Sequence, residues 1–146
     1  MSPRSLLVRP SKGTILSGLA GGATHAGLAG VLWLWFGFAT RGTTAPFLLY
    51  VGLGTLAVGA IPSALWSAER LRSPLLLVVG LFVATAYGTW ETSVSQSPTP
   101  TPVGPTPFGW YLLGWVVVLG MALLVGAVEF AVRRRRGRGH ADSASP

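Results

Sequence analysis

The chain has no cysteine and no asparagine among its 146 residues, and almost no charge in its middle. Without cysteine there are no disulfides, no thiolate metal ligands, no cysteine nucleophile and no S-acylation. Without asparagine there is no acceptor for N-glycosylation. Between Lys12 and Glu129 only Arg41, Glu69, Arg70, Arg72 and Glu91 carry charge. Charged residues make up 10% of the whole chain, against about 25% in soluble domains, so a water-facing surface cannot be built from it. Gly-x-Ser-x-Gly, His-Glu-x-x-His and phosphate-loop motifs are also missing, and no carboxylate pair falls deep within an apolar stretch. These absences argue against an intramembrane hydrolase.

What remains is long apolar sequence, with 50% hydrophobic residues and a mean hydropathy of +0.56. Four stretches, at about 14–40, 45–66, 74–90 and 108–132, each have the length a helix needs to cross a hydrocarbon core of roughly 30 Å at 1.5 Å per residue. The first follows Arg4, Arg9 and Lys12 but is longer than the apolar region of a signal peptide and lacks a small-x-small cleavage site, so it reads as an uncleaved span. The expected fold is all-α: a four-transmembrane-helix bundle over 14–132, with a basic segment 1–13 before it and a basic, disordered tail 133–146 after it. A Ser/Thr/Pro-rich linker, 92–107, separates the last two spans and reads as an extended spacer.

The basic residues predict the threading. Arg4, Arg9, Lys12, Arg70, Arg72, Arg133, Arg134, Arg135, Arg136 and Arg138 fall on one side of a four-span chain, and Arg41 alone on the other. By the positive-inside tendency both termini are cytoplasmic. Trp33, Trp35, Tyr50, Tyr87, Trp90, Phe108, Trp110, Tyr111 and Trp115 gather at the opposite ends of the spans, as an interfacial aromatic belt would. The formal charge of +7 is concentrated after the last span. Arg133, Arg134, Arg135, Arg136 and Arg138 therefore read as contacts to anionic lipid head groups, and not to nucleic acid, because no folded basic module accompanies them.

Helices in lipid associate through close backbone approach and interhelical hydrogen bonds. Span one places Gly18, Gly22, His25 and Ala29 on one face, span two Gly52, Thr55, Gly59 and Ser63, and span three Gly80, Ala84 and Gly88. These stripes predict a tight unit of spans one to three, with span four added on or used between protomers. A homodimer or a larger membrane complex is consistent with that.

His25 is the one acid, base or histidine near mid-span, and such residues mark functional sites by default. One role is structural: a neutral imidazole hydrogen-bonded to Thr55 or to a backbone carbonyl, fixing helix register. The other is chemical, as a haem ligand with Met121 of span four, a metal ligand or a proton relay. Neither a cofactor nor a metal is expected on the structural reading.

Three function classes follow. The leading one is a non-enzymatic accessory or scaffold subunit of a prokaryotic cell membrane, packing through glycine-rich helix faces. The second is a small transporter or channel with a polar path near Thr24, His25, Thr55 and Ser63. Small multidrug carriers also have four spans, but the glutamate of their first span has no counterpart here. The third is a redox subunit that binds haem at His25 or a quinone among the aromatics.

Overall fold

The computed structural model describes residues 11–38, 44–95 and 106–142, and it is all-helical. Helix α1 spans Lys12–Trp35, α2 Ala45–Glu69, α3 Ser73–Ser95, α4 Pro107–Leu113 and α5 Trp115–Asp142. Four helices are long and apolar enough to cross a membrane, over Lys12–Trp35, Ala45–Glu69, Ser73–Ser93 and Trp115–Arg136. The segment with Arg4 and Arg9, the connection with Arg41 and most of the Ser/Thr/Pro linker lie outside the described residues.

Each helix boundary has a local cause. Ser11 caps α1, its hydroxyl accepting the Thr14 amide at 3.1 Å. The helix stops at Trp35, earlier than the hydropathy pattern suggests, because Gly37 takes a φ of +72°. The Phe38 amide then reaches the Trp33 carbonyl and the Gly37 amide that of Leu34, a Schellman end with Phe38 packed on Trp33. That turn carries Phe38 into the core instead of continuing the helix outward.

Helix α2 carries Pro46 in its first turn, where the missing N–H is harmless, and ends at Arg70 with φ 54°. The last span begins as a separate seven-residue helix, α4, capped by Thr106, which accepts the Gly109 amide at 3.1 Å. It breaks at Gly114 because the Val117 amide turns to the Gly114 carbonyl at 2.9 Å, one residue short of helical spacing. Tyr50 of α2 donates its hydroxyl to the Leu113 carbonyl freed at this break, at 2.9 Å.

Neighbouring helices run antiparallel, so the bundle has two distinct ends. The bonds from Ser17 to Ser63 and from Ser73 to Glu129 lie toward the end that carries Lys12, Arg70, Arg72 and the arginine run. The bond from the Phe108 amide to Thr89 lies toward the other end, where the aromatics gather. Between them the core joins Val58, Val78, Leu112, Val118 and Ala122, with Phe38, Phe108 and Tyr111 stacked above. Leu16, Leu19, Leu34, Leu76 and Leu124 point outward, an apolar exterior of the kind that suits lipid.

The packing departs from the expected unit of spans one to three. Helix α1 packs closely on α2 alone, while α2, α3 and α5 pack on one another and α4 wedges between α2 and α3. Two further expectations change. Helix α3 continues to Ser95, into the stretch read as linker, and α5 continues through the arginine run to Asp142, where a disordered tail was expected. Arginine is a good helix former, so Arg133, Arg134, Arg135 and Arg136 extend the helix of the span.

Candidate functional site

The site is built on the α1–α2 seam, where glycine lets two backbones nearly touch. A Cβ on Gly59 would lie 2.5 Å from both the Gly21 carbonyl oxygen and the His25 Cβ, and one on Gly22 would lie 2.9 Å from the Leu56 carbonyl oxygen. Gly18 sits against Ala60 and Ala64, and Gly21 against the Ser63 side chain. One hydroxyl stitches the seam: Ser17 donates to the Ser63 carbonyl at 3.1 Å, while the Ser63 hydroxyl turns back within α2 to the Gly59 carbonyl at 2.8 Å.

This close approach brings His25 within reach of α2. Its Nδ1 lies 2.8 Å from the Thr55 carbonyl oxygen and its Nε2 lies 2.8 Å from the Tyr111 hydroxyl. A carbonyl can only accept, so Nδ1 carries the proton. In the neutral ring Nε2 is then the acceptor and Tyr111 the donor; the partners assign the tautomer. The Thr55 hydroxyl turns to the Gly52 carbonyl at 3.0 Å instead. Phe82 of α3 lies against the imidazole with centroids 5.0 Å apart, and Phe108 stacks on Tyr111 at 6.2 Å. One side chain of α1 thus meets α2, α3 and α4 at a single depth.

On either side of the α1–α2 pair lies a cleft. The larger, of about 500 Å³, separates α1 from α3, with Ser17, Thr24, His25 and Leu28 on one wall, Leu75, Val79 and Val83 on the other, and Trp66 at its basic end. A separate groove past Phe82 and Val83 lies toward the aromatic end, between Leu32, Trp35, Tyr87 and Trp90. A smaller cavity of about 300 Å³ lies between α1 and α2 near Trp33, Gly52, Thr55 and Leu112. The polar path expected from Thr24, His25, Thr55 and Ser63 is therefore divided. Thr24, His25 and Ser63 line the larger cleft and Thr55 the smaller.

Among the residues singled out for packing, Gly18, Gly22, Ala29, Thr55 and Gly59 are buried in the bundle and His25 is half-buried. Gly52 is a correction: a Cβ there would meet nothing within 4 Å, because the seam runs along Leu56, Gly59, Ala60 and Ser63. Gly80 and Ala84 are a second correction. Both are exposed, because α3 turns its valines and Phe82 toward α1 and its glycine face outward. Gly88 faces Pro107, whose ring a Cβ there would approach to 3.3 Å. Met121 lies exposed on α5, and Tyr111 occupies the place on His25 that a haem iron would need.

Several contributors carry no local signal in the sequence. Tyr111 reads as one more belt aromatic, and the fit of Trp115 onto Gly54 needs the α2–α5 contact to be known. Glu129 pairs with Arg133 as their spacing suggests, but it also caps α3 from across the interface. Its carboxylate accepts the Arg72 amide at 3.1 Å, the Ser73 amide at 2.9 Å and the Ser73 hydroxyl. Arg133, Arg134, Arg135 and Arg136 are exposed beyond it, with Arg134 over the Phe130 ring; the side chain of Arg138 lies outside the described ones. Among the described residues no group of three or more His, Asp or Glu side chains could hold a metal ion. Compared with family models, curated proteins and solved structures, the chain matches none.

Proposed function

We propose that the chain is a multi-pass protein of a prokaryotic cell membrane, with both termini cytoplasmic, that acts as a non-enzymatic accessory or scaffold subunit. The observation that carries this reading is the double hydrogen bond of His25: both ring nitrogens of the one histidine at depth are spent on the protein itself. Ser17, Ser63 and Thr85 are likewise bonded to helix carbonyls. His25 and Ser17 bond across to neighbouring helices, and polar groups so engaged hold helices together and are not free for turnover or ion coupling. Ligation of haem at His25 would require Tyr111 to be displaced. The face offered to a partner is the outward one of α3, where Gly80 and Ala84 leave the backbone uncovered.

The orientation follows from the basic end of the bundle. A cysteine placed at Thr99 is expected to react with a membrane-impermeant thiol reagent in intact cells, and one at Ser143 is not; the reverse pattern overturns the threading. For the role itself, a photo-crosslinking residue at Ala84 should capture one membrane protein of defined mass, a second copy included. The same residue at Leu124 on α5 should capture only lipid. Substrate-driven flux by the purified protein in proteoliposomes, or a Soret band, would replace the accessory reading by the carrier or the redox one.

A further inference from the structure

We infer that the cleft between α1 and α3 seats one acyl chain of an anionic phospholipid, with its phosphate held by Lys12, Arg70 and Arg72. The cleft lies beside the outward face of α3 assigned to a protein partner, so the two readings stand independently.

The cleft has the length of one leaflet. Its α1 wall runs from Ser17 to Leu28, roughly 16 Å of helix rise, or about half of a 30 Å hydrocarbon core. It runs from near the basic end to just past mid-span, where His25 and Leu28 line it, and the groove past Phe82 lies toward the aromatic end. A helix is about 10–12 Å across, wider than a trough of about 500 Å³ spread over that length. A single hydrocarbon chain lying along the trough fits both its length and its section, and covers the aliphatic wall of Leu75, Val79 and Val83.

Charge at the mouth selects the head group. Arg70 and Arg72 lie in the short connection between Trp66 and Leu75, the two residues that close the basic end of the cleft. Lys12 stands five residues, roughly 7.5 Å of rise, beyond Ser17 on the opposite wall. All three are exposed. The ion pair among the described residues is Arg133–Glu129, which involves none of them. The acids nearby are Glu69, exposed in the last turn of α2, and Glu129, committed to Arg133 and to the start of α3. The mouth therefore keeps a net positive charge at head-group level, where an anionic phosphate is the available partner. The Trp66 indole lines the same end, at a depth where indoles suit the interface.

The test is native mass spectrometry of the full chain after reconstitution in phosphatidylcholine vesicles that contain a minor fraction of phosphatidylglycerol. The expected result is one retained phosphatidylglycerol per chain. Val79→Trp fills the cleft from an exposed position and should lower that retention by about tenfold; Thr24→Phe fills it from the other wall and serves if the first variant fails to fold. Arg70→Gln with Arg72→Gln should keep one lipid bound but abolish the preference for phosphatidylglycerol. Retention unchanged by cleft filling, or lost only when Arg134, Arg135 and Arg136 are neutralised, would overturn the inference. A second protein chain released by Val79→Trp in place of lipid would overturn it too.

Discussion

Helix α1 has two flanks of nearly equal hydropathy, and they end up in opposite conditions. Toward α2 it presents Gly18, Gly21 and Gly22, and the backbones close to contact distance. Toward α3 it presents Ala20, Thr24 and Leu28 to a wall of branched side chains, and a cleft stays open. The difference shows what holds a bundle together when the solvent is itself apolar. Burying leucine against leucine gains little over leucine against lipid, so association needs close approach and hydrogen bonds. The α1–α2 seam has both, through its glycines and through the bonds of Ser17 and His25 to α2 carbonyls. Across the α1–α3 flank no side-chain hydrogen bond is seen among the described residues, and the ring contact is that of His25 with Phe82.

The sharpest way to break this comparison is to put the same side chain on a packed glycine and on an open one. Gly59→Leu drives a branched side chain into the Gly21 carbonyl and His25, and should destabilise the protein in detergent by about 3 kcal/mol or more. Gly80→Leu meets open space and should stay within about 0.5 kcal/mol of the parent. Equal thermal stabilities for the two variants would mean that the seam is not where the binding energy lies.

A smaller effect is expected where the two flanks share a residue. His25→Leu leaves the Thr55 carbonyl and the Tyr111 hydroxyl without their partner and should be destabilising by about 1–2 kcal/mol. His25→Gln keeps a hydrogen-bonding side chain and should recover part of this. Tyr111→Phe removes one bond alone, and about 0.6–1 kcal/mol is expected from thermal denaturation. If His25→Gln recovered nothing, the ring contact of His25 with Phe82 and not the hydrogen bonds would be the main link between α1 and the rest.

The least effect on global stability is expected from Glu129→Gln, far from both flanks. It removes the charge that caps α3 and pairs with Arg133. Hydrogen exchange at the Arg72 and Ser73 amides should become faster, while exchange along the α1–α2 seam stays unchanged. Loss of protection at the seam as well would show that α3 supports α1 more than the open cleft implies.

Hydropathy alone located the four long helices, because length and absence of charge are properties of single segments. The gathering of basic residues at one end and aromatics at the other was also legible, since an even number of antiparallel helices sorts such residues by position along the chain. The glycine face of α1 could be read for a similar reason: three- and four-residue spacing defines a face within one helix. Reading failed wherever the answer lay across an interface. Gly80 and Ala84 have the same small-residue spacing as Gly18 and Gly22, yet α3 turns them away from its neighbours. The pairing of His25 with Tyr111, the cap that Glu129 places on α3 and the fit of Trp115 against Gly54 each join residues far apart in sequence.

Only the tertiary structure decided which faces met and which stayed open, and the reason is the solvent. In water a helix advertises its buried face by being apolar there and polar elsewhere. These helices are apolar all round, as suits surroundings of lipid, which accept leucine outside as readily as the core does. The sequence by itself therefore determined what the helices are and which ends share a side, while packing alone selected the seam, the His25 junction and the cleft.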